Sequence, residues 1–125
     1  MNNWRQILSW DLPETISLEE FLEKTYKIEG AFGQHYQKVR PRIVCGDGFS
    51  LSVQGGDYLY SLPRTNGWAF SAVEVGYPSE AEEELKRYAD NLESFPDTIY
   101  GYVPIEIVRK IIDKHGGIVK EMTFV

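Results

Sequence analysis

Residues 42–54 read RIVCGDGFSLSVQ, two β-like runs on either side of the glycine-bearing loop Gly46-Asp47-Gly48. In the second run, Phe49, Leu51 and Val53 alternate with polar residues, which places their side chains on one face of a strand. A short loop that contains glycine and joins two such runs is typical of a β-hairpin. The centre of the fold is therefore predicted to be an antiparallel sheet.

Two further strands are predicted after this hairpin. Residues 57–62 form a third strand that ends before Pro63, and residues 68–75 form a fourth, rich in aromatic and β-branched side chains. Asn66-Gly67 makes the turn between them. Residues 122–125 add an edge strand to this sheet.

Helices are predicted on both sides of these strands in the sequence. A serine followed three residues later by glutamate forms a capping box that begins a helix, and this spacing occurs at Ser17 and Ser79. Pro104 occupies the first position of a third helix, which ends at Gly116-Gly117. The predicted helices span residues 17–28, 80–93 and 104–115, and the first ten residues add a separate short helix.

The length of 125 residues fits one domain, and a hydrophobic share of 42% supplies enough apolar material for a packed core. The order of elements predicts the α+β class, an antiparallel sheet of about four strands with three helices packed mainly on one face. Within residues 1–125 we expect a helical N-terminal region at 1–40, a β-rich region at 41–78, two helices at 79–117 and an edge strand at 118–125.

Cysteine content and hydropathy limit the cellular location. Cys45 is the only cysteine, which excludes an internal disulfide, and its place in an apolar run favours a small buried residue over a nucleophile. The N-terminus lacks the pattern of a signal peptide, and no apolar stretch reaches the roughly 20 residues that span a bilayer. These features predict a cytoplasmic protein without membrane association.

The net charge of −6 is concentrated in residues 79–103, which carry seven acidic and two basic side chains. The dipole of the predicted helix 80–93 favours acids in its first turn, which is one interpretation of this excess. The other is an acidic partner face that mimics nucleic-acid phosphates, formed by Glu80, Glu82, Glu83 and Glu84. The sequence has no basic stripe to neutralise a phosphate backbone, which argues against direct nucleic-acid binding.

No catalytic or metal-binding pattern stands out. His35 and His115 have no ligand partner three or four residues away, and His115 fits a polar group at a helix C-terminus. Gly30-Ala31-Phe32-Gly33 is interpreted as a turn, because it follows a helix and has no basic neighbour. The sequence also lacks a phosphate-binding glycine loop and a nucleophile elbow. We therefore predict a binding protein with no catalytic residue, cofactor or metal.

Aromatic residues are interleaved with a single arginine in residues 57–80. Rings beside an arginine suit stacking on a planar anionic ligand, and they equally suit a protein-binding hot spot. The alternative is that the rings belong to the core and the arginine is a solvated loop residue. The candidate ligand- or partner-binding residues are Tyr58, Tyr60, Arg64, Trp68, Glu74 and Tyr77. Near the chain ends, Trp4, Trp10 and Phe124 are apolar groups that predict a homodimer.

Six segments of residues 42–118 are distinctive in combination: Asp47-Gly48-Phe49, Ser52-Val53-Gln54, Pro63-Arg64, Val73-Glu74-Val75-Gly76-Tyr77-Pro78-Ser79-Glu80, Tyr100-Gly101-Tyr102-Val103-Pro104 and Lys114-His115-Gly116-Gly117-Ile118. In these segments residues 42–118 resemble a group of small uncharacterised proteins carried by bacteriophages and prophages. Ser61-Leu62 stands where that group has Cys-Ser, so the loop before Pro63 is not expected to be chemically reactive.

The resemblance implies a protein that acts in the cytoplasm of a bacterial host. Small, acidic, cysteine-poor phage proteins often act as stoichiometric inhibitors of host defence, anti-CRISPR proteins among them, so a host defence protein is the expected partner. One alternative is a sponge that sequesters a nucleotide immune signal. Another is an enzyme that modifies a host target, against which the missing nucleophile–base pair argues. A role in phage structure or packaging is a further alternative, disfavoured by the lack of repeats or a coiled-coil seam.

Overall fold

The computed structural model describes residues 14–124, which contain short strands and short helices. Two 3-10 helices, Glu83–Tyr88 and Leu92–Ser94, lie between the sixth and seventh strands. In chain order the other elements are β1 Thr15–Ile16, α1 Leu18–Lys24, β2 Ile28–Ala31, β3 Gln34–Gln37, β4 Ile43–Val44, β5 Ser50–Gln54, β6 Ala72–Gly76, β7 Ile99–Pro104, α2 Ile105–Lys114, β8 Ile118–Val119 and α3 Lys120–Thr123.

Four of the strands form the main antiparallel sheet, in the order β4-β5-β6-β7. The hairpin predicted at residues 42–54 is confirmed, with Ile43 paired to Leu51. A single β-bridge between Cys45, just after β4, and Ile118 joins the main sheet to β8, which pairs with β1. The α+β class with a four-stranded antiparallel sheet is therefore confirmed.

The core lies between the sheet and its helices. Leu51 and Val53 of β5 are fully buried, as their alternation predicted, and so are Val73 and Val75 of β6. Burial of each such side chain contributes roughly 1.5–3 kcal/mol to the free energy of unfolding. The helices α1 and α2 add their own apolar residues to this core: Leu18, Phe21, Leu22, Val108, Ile111 and Ile112.

Two of the three predicted helices are confirmed. Ser17 caps α1, because its hydroxyl accepts a hydrogen bond from the backbone N–H of Glu20 at 3.0 Å. The helix ends at Lys24, earlier than predicted. The helix predicted at 104–115 corresponds to α2, although Pro104 is its N-cap and not its first residue. The short helix predicted for the first ten residues lies outside the described part of the chain.

The helical region predicted for residues 1–40 is wrong at its C-terminal end. There the strands β2 and β3 form a hairpin, with its turn at Phe32-Gly33. Gly30 permits this pairing, because a Cβ at this position would lie 1.9 Å from the carbonyl oxygen of Gln34. The interpretation of residues 30–33 as a turn is therefore confirmed.

The strand predicted at residues 57–62 is also wrong, because this segment is a loop held by side chains. Asp57 and Asn66 exchange two hydrogen bonds between side chain and backbone, at 2.9 and 3.1 Å. Such bonds compete with the strand ladder and stabilise a loop instead. The next predicted strand, at residues 68–75, accordingly begins only at Ala72.

The helix predicted at residues 80–93 is replaced by the two 3-10 helices. Ser79 does not cap a helix, since its hydroxyl accepts from the backbone N–H of Ser50 at 2.9 Å. Further along, Ala89 pairs with Tyr100 of β7 through an isolated bridge. Contacts with the sheet thus override the helical spacing of the apolar residues.

Two C-terminal elements differ from the sequence-based expectation. The strand β7 was not predicted, although its Ile-Tyr-Gly-Tyr-Val sequence has the aromatic and β-branched residues of a strand. The edge strand expected at residues 122–125 is wrong for the residues described there, because α3 occupies this end of the chain. The strand of this region is β8, which lies just before it.

Candidate functional site

An exposed aromatic face lies where the loop at 57–62 meets β7. Its members are Tyr58, Tyr60, Arg64 and Tyr102. The rings of Tyr60 and Tyr102 are inclined at 49° with centroids 5.7 Å apart, and the Arg64 guanidinium carbon lies 5.5 Å from the Tyr60 ring centroid. The backbone of Tyr60 is tied to β7, since its carbonyl accepts from the N–H of Tyr102 at 2.9 Å. The face is therefore fixed to the sheet although its side chains are exposed.

Two members of the aromatic face have left-handed backbones. The φ angle is 66° at Tyr58 and 52° at Tyr102, a region that costs an aromatic residue about 1–3 kcal/mol. Within residues 14–124, every non-glycine residue with positive φ is aromatic and exposed; the other two are Phe32 and Tyr77. Strain of this kind, combined with exposed rings, is concentrated at functional surfaces more often than elsewhere.

Two polar residues, Glu74 and Arg40, stabilise the segment between β5 and β6 that carries most of the face. The carboxylate of Glu74 accepts from the backbone N–H of Tyr60 at 3.1 Å, which positions the loop that carries the face. The side chain of Arg40 is buried and donates to the carbonyl oxygens of Leu22, Gly55 and Gly67. Burial lowers the pKa of Arg40 to about 10, so the guanidinium stays charged at neutral pH.

The other two predicted aromatic residues lie outside this group. Trp68 is 47% exposed and packs against Tyr26, with ring centroids 5.2 Å apart. Tyr77 follows the last residue of β6, and its carbonyl accepts from Arg42. From the predicted set, the structure brings together Tyr60, Arg64 and Glu74, and Tyr58 lies two residues before Tyr60 in the same loop. It adds Tyr102, which the sequence analysis did not include among the site residues.

The four glutamates of the predicted acidic face do not share one exposed surface. Glu80 and Glu83 are exposed, and Glu84 forms an ion pair with Lys110 at 2.9 Å. Glu82 is only 4% exposed and points into the protein toward the end of α2. Its burial removes it from any surface that could mimic phosphates.

Glu82 belongs instead to a charged cluster around His115, in which Glu82 and His115 are buried and Asp47 and Lys114 are exposed. The His115 ring lies between two carboxylates, with Nδ1 2.6 Å from Asp47 Oδ2 and Nε2 2.9 Å from Glu82 Oε2. The other Glu82 oxygen accepts from Lys114 Nζ at 2.5 Å. Phe49 stacks on the imidazole, with ring centroids 3.9 Å apart and planes at 10°. We call Asp47, Glu82, Lys114 and His115 the histidine cluster.

The histidine cluster shifts the pKa of each of its members. Burial by itself would lower the pKa of His115, but hydrogen bonds to Glu82 and Asp47 raise it above its ordinary value. The bond to His115 lowers the pKa of Asp47. Burial alone would raise the pKa of Glu82, whereas Lys114 and His115 lower it. These shifts favour ionised carboxylates beside a protonated imidazole.

The sequence alone does not indicate the histidine cluster, because its four residues lie in three separate segments of the chain. Asp47 is in the β4–β5 turn, where its backbone N–H donates to the carbonyl of His115 at 3.0 Å. Glu82 precedes the first 3-10 helix, and His115 caps the C-terminus of α2, as its predicted role required. No residue spacing within one helix or strand could have predicted that Asp47, Glu82 and His115 lie together.

The cysteine and the helices were also the subject of sequence-based predictions. Cys45 is buried, as predicted, and burial raises the pKa of its thiol to about 12, which keeps it protonated and unreactive at neutral pH. Among the described residues, every helix is too short or too polar to cross a membrane.

Comparisons of the chain with protein-family models, with curated proteins and with solved structures gave no match.

Proposed function

We propose that this protein is a non-catalytic binding protein that uses the aromatic face to bind and inhibit a host defence protein. The observation that carries the proposal is Tyr58, which is 93% exposed although its backbone is held at a φ of 66°. An exposed ring contributes little apolar burial to offset the cost of this conformation in the free protein. Burial of the same ring against a partner would supply the compensation.

The composition of the aromatic face suits a protein hot spot. Tyrosine and arginine are among the residue types most enriched where single side chains carry much of the binding free energy. Tyr60 already contacts both Tyr102 and Arg64, which reduces the entropy that a partner must remove on binding. A preformed face of this kind is what a stoichiometric inhibitor requires.

The inhibitory role, anti-CRISPR-like in form, rests on the resemblance of residues 42–118 to phage and prophage proteins. The chain supports it by its acidic net charge of −6 and by its unreactive cysteine. Action on a defence protein places the molecule in the cytoplasm of the bacterial host. Neither catalysis nor direct contact with nucleic acid is part of this proposal.

A second candidate function, a sponge for a nucleotide immune signal, is favoured by the hydrogen bonding of Arg64. Its Nε donates to the carbonyl of Leu59 at 2.9 Å, and its terminal nitrogens make no hydrogen bond within residues 14–124. Those nitrogens can pair with a phosphate while Tyr58 or Tyr60 stacks on a base.

Affinity capture from host cytoplasm, followed by native mass spectrometry, tests both functions. The wild-type chain should retain a defence protein in fixed stoichiometry, and the variants Tyr60→Ala and Arg64→Ala should lose it. Tyr36→Ala is the matched control, because Tyr36 is an exposed tyrosine of β3 outside the aromatic face. A bound nucleotide in place of a protein would favour the sponge. Retention of the same partner by both face variants would contradict the proposed use of this face.

A further inference from the structure

Three potential metal ligands meet at the surface end of the histidine cluster. Glu80, Glu82 and His115 each offer one donor atom, and these atoms lie within 4.8 Å of one another. Glu82 and His115 are more than nine-tenths buried, whereas Glu80 is exposed. The group therefore combines two fixed ligands inside the protein with one that is open to solvent.

The imidazole of His115 is oriented for coordination through Nε2. Asp47 holds Nδ1 at 2.6 Å, and the stacked ring of Phe49 fixes the imidazole plane. In zinc proteins, a carboxylate that accepts from one ring nitrogen fixes the tautomer and leaves the other nitrogen free to bind the ion. This arrangement of Asp47, His115 and a facing carboxylate is more specific than a group of surface acids.

We propose that Glu80, Glu82 and His115 bind a divalent transition-metal ion, with Zn²⁺ as the representative probe. One imidazole nitrogen and two carboxylates are ligands that such ions accept at about 2.0–2.2 Å. Mg²⁺ and Ca²⁺ prefer sites made only of oxygen, so the histidine selects against them. Water would complete the coordination at the exposed side of the ion.

The distances require little rearrangement. Two ligands of a tetrahedral zinc ion lie roughly 3.3 Å apart, so His115 Nε2 and Glu82 Oε2, now 2.9 Å apart, need to separate by only a few tenths of an ångström. Lys114 occupies the other oxygen of Glu82, which leaves Oε2 for the ion. The ion takes the place of the proton that His115 and Glu82 share, and that proton is released to solvent.

Charge balance also favours a divalent ion. With His115 neutral, as coordination through Nε2 requires, the three carboxylates of Asp47, Glu80 and Glu82 outnumber the single ammonium of Lys114 by two charges. A divalent ion beside a neutral His115 neutralises this excess. Because the ligands come from the segment before the first 3-10 helix and from the end of α2, the bound ion would tie these segments together. The site is separate from the aromatic face and does not depend on the proposed function.

The test is a calorimetric titration of Zn²⁺ into the untagged, chelator-treated full chain. We expect one equivalent of Zn²⁺ per chain and a rise in thermal stability on binding. Glu80→Gln should weaken binding at least tenfold without changing the stability of the metal-free protein, because Glu80 is exposed. Asp47→Asn should weaken it about 10- to 100-fold, the usual effect of removing a residue that orients a metal-binding histidine.

The control is Glu83→Gln, which removes an exposed glutamate near the site that is outside the ligand set. It should bind Zn²⁺ as the wild type does. Absence of binding by the wild type would overturn the proposal, and so would binding that Glu80→Gln leaves unchanged. Either result would identify the cluster as a set of structural ion pairs only.

Discussion

The guanidinium of Arg64 lies over the ring of Tyr60, 5.5 Å from its centroid. At an exposed site, a cation–π contact of this kind contributes only about 0.5–1 kcal/mol. That is too little to matter for a fold whose core is built elsewhere, on β5, β6 and the two longer helices. In the proposed function the contact matters more, because it presents a charge and a ring together to the partner.

Replacing Arg64 with alanine separates binding from folding. Arg64→Ala should change the free energy of unfolding by less than about 0.5 kcal/mol, because the side chain is exposed and outside the core. A lost charge-assisted hydrogen bond should weaken the complex by about ten- to a hundredfold. Calorimetry against cyclic and linear dinucleotides measures this for the sponge, and affinity measurement on the captured protein measures it for the inhibitor. Full activity of Arg64→Ala in cells would exclude both roles for this residue.

Trp68 tests whether the aromatic segment belongs to the core. Truncation of a fully buried tryptophan to alanine lowers the free energy of unfolding by about 3–5 kcal/mol. Because Trp68 is 47% exposed and contacts mainly Tyr26, we expect a loss of only about 1–2 kcal/mol for Trp68→Ala. Urea unfolding of this variant beside Phe21→Ala, a fully buried residue, provides the comparison. Equal losses would show that Trp68 is a core residue.

The histidine cluster predicts that its contribution to stability is largest between about pH 4 and pH 6.5 and declines on both sides of this window. The folded pKa of His115 is raised, so its contribution is complete below the ordinary imidazole pKa of about 6.5 and is lost as pH rises through the folded value. The folded pKa values of Asp47 and Glu82 are lowered, so their contribution is present above about pH 4 and is lost as pH falls through the folded values.

His115→Gln removes the ionisable group while keeping a polar side chain. The difference in unfolding free energy between wild type and His115→Gln should be measured from acid to alkaline pH with chelator present. We expect it to be largest between about pH 4 and pH 6.5. Lys114 stays charged over this range and does not contribute to the curvature. A difference that is the same at every pH would mean that the ionisation of His115 is not coupled to folding.

Self-association remains a prediction from the chain ends. Phe124 packs on Phe21 with ring centroids 6.0 Å apart, yet 42% of it stays exposed. Trp4 and Trp10 lie outside the described residues. A homodimer would cover such groups, so light scattering at high micromolar concentration should give twice the 14.4 kDa mass of one chain. A mass of one chain would refute the dimer.

Local patterns predicted the parts of the fold that are decided locally. The alternation at Phe49, Leu51 and Val53 located the central hairpin, and the apolar stripe of α2 located the longest helix. The helical spacing at residues 80–93 predicted the wrong structure, because contacts with strands of the sheet decide it. Ser79 bonds to Ser50 of β5, and Ala89 pairs with Tyr100 of β7. Long-range contacts of this kind leave no periodic trace in the sequence.

The candidate site was predicted in part, for the same reason. Tyr58, Tyr60 and Arg64 are close in sequence, so their interleaving indicated the aromatic face. Tyr102 and His115 come from later segments, and only the folded chain brings them to Tyr60 and to Asp47. The hydrogen bond from the backbone N–H of Tyr60 to the Glu74 carboxylate likewise became visible only in the folded chain.

The most direct test of the account is photocrosslinking from position 58 in host cells that express the defence system. A photoreactive phenylalanine analogue there replaces a side chain that is 93% exposed, so the fold should tolerate it. We expect position 58 to give one dominant crosslinked defence protein and the control position 36 on β3 to give no crosslink. Equal crosslinking from both positions, or none from position 58, would contradict the claim that the aromatic face binds a protein partner.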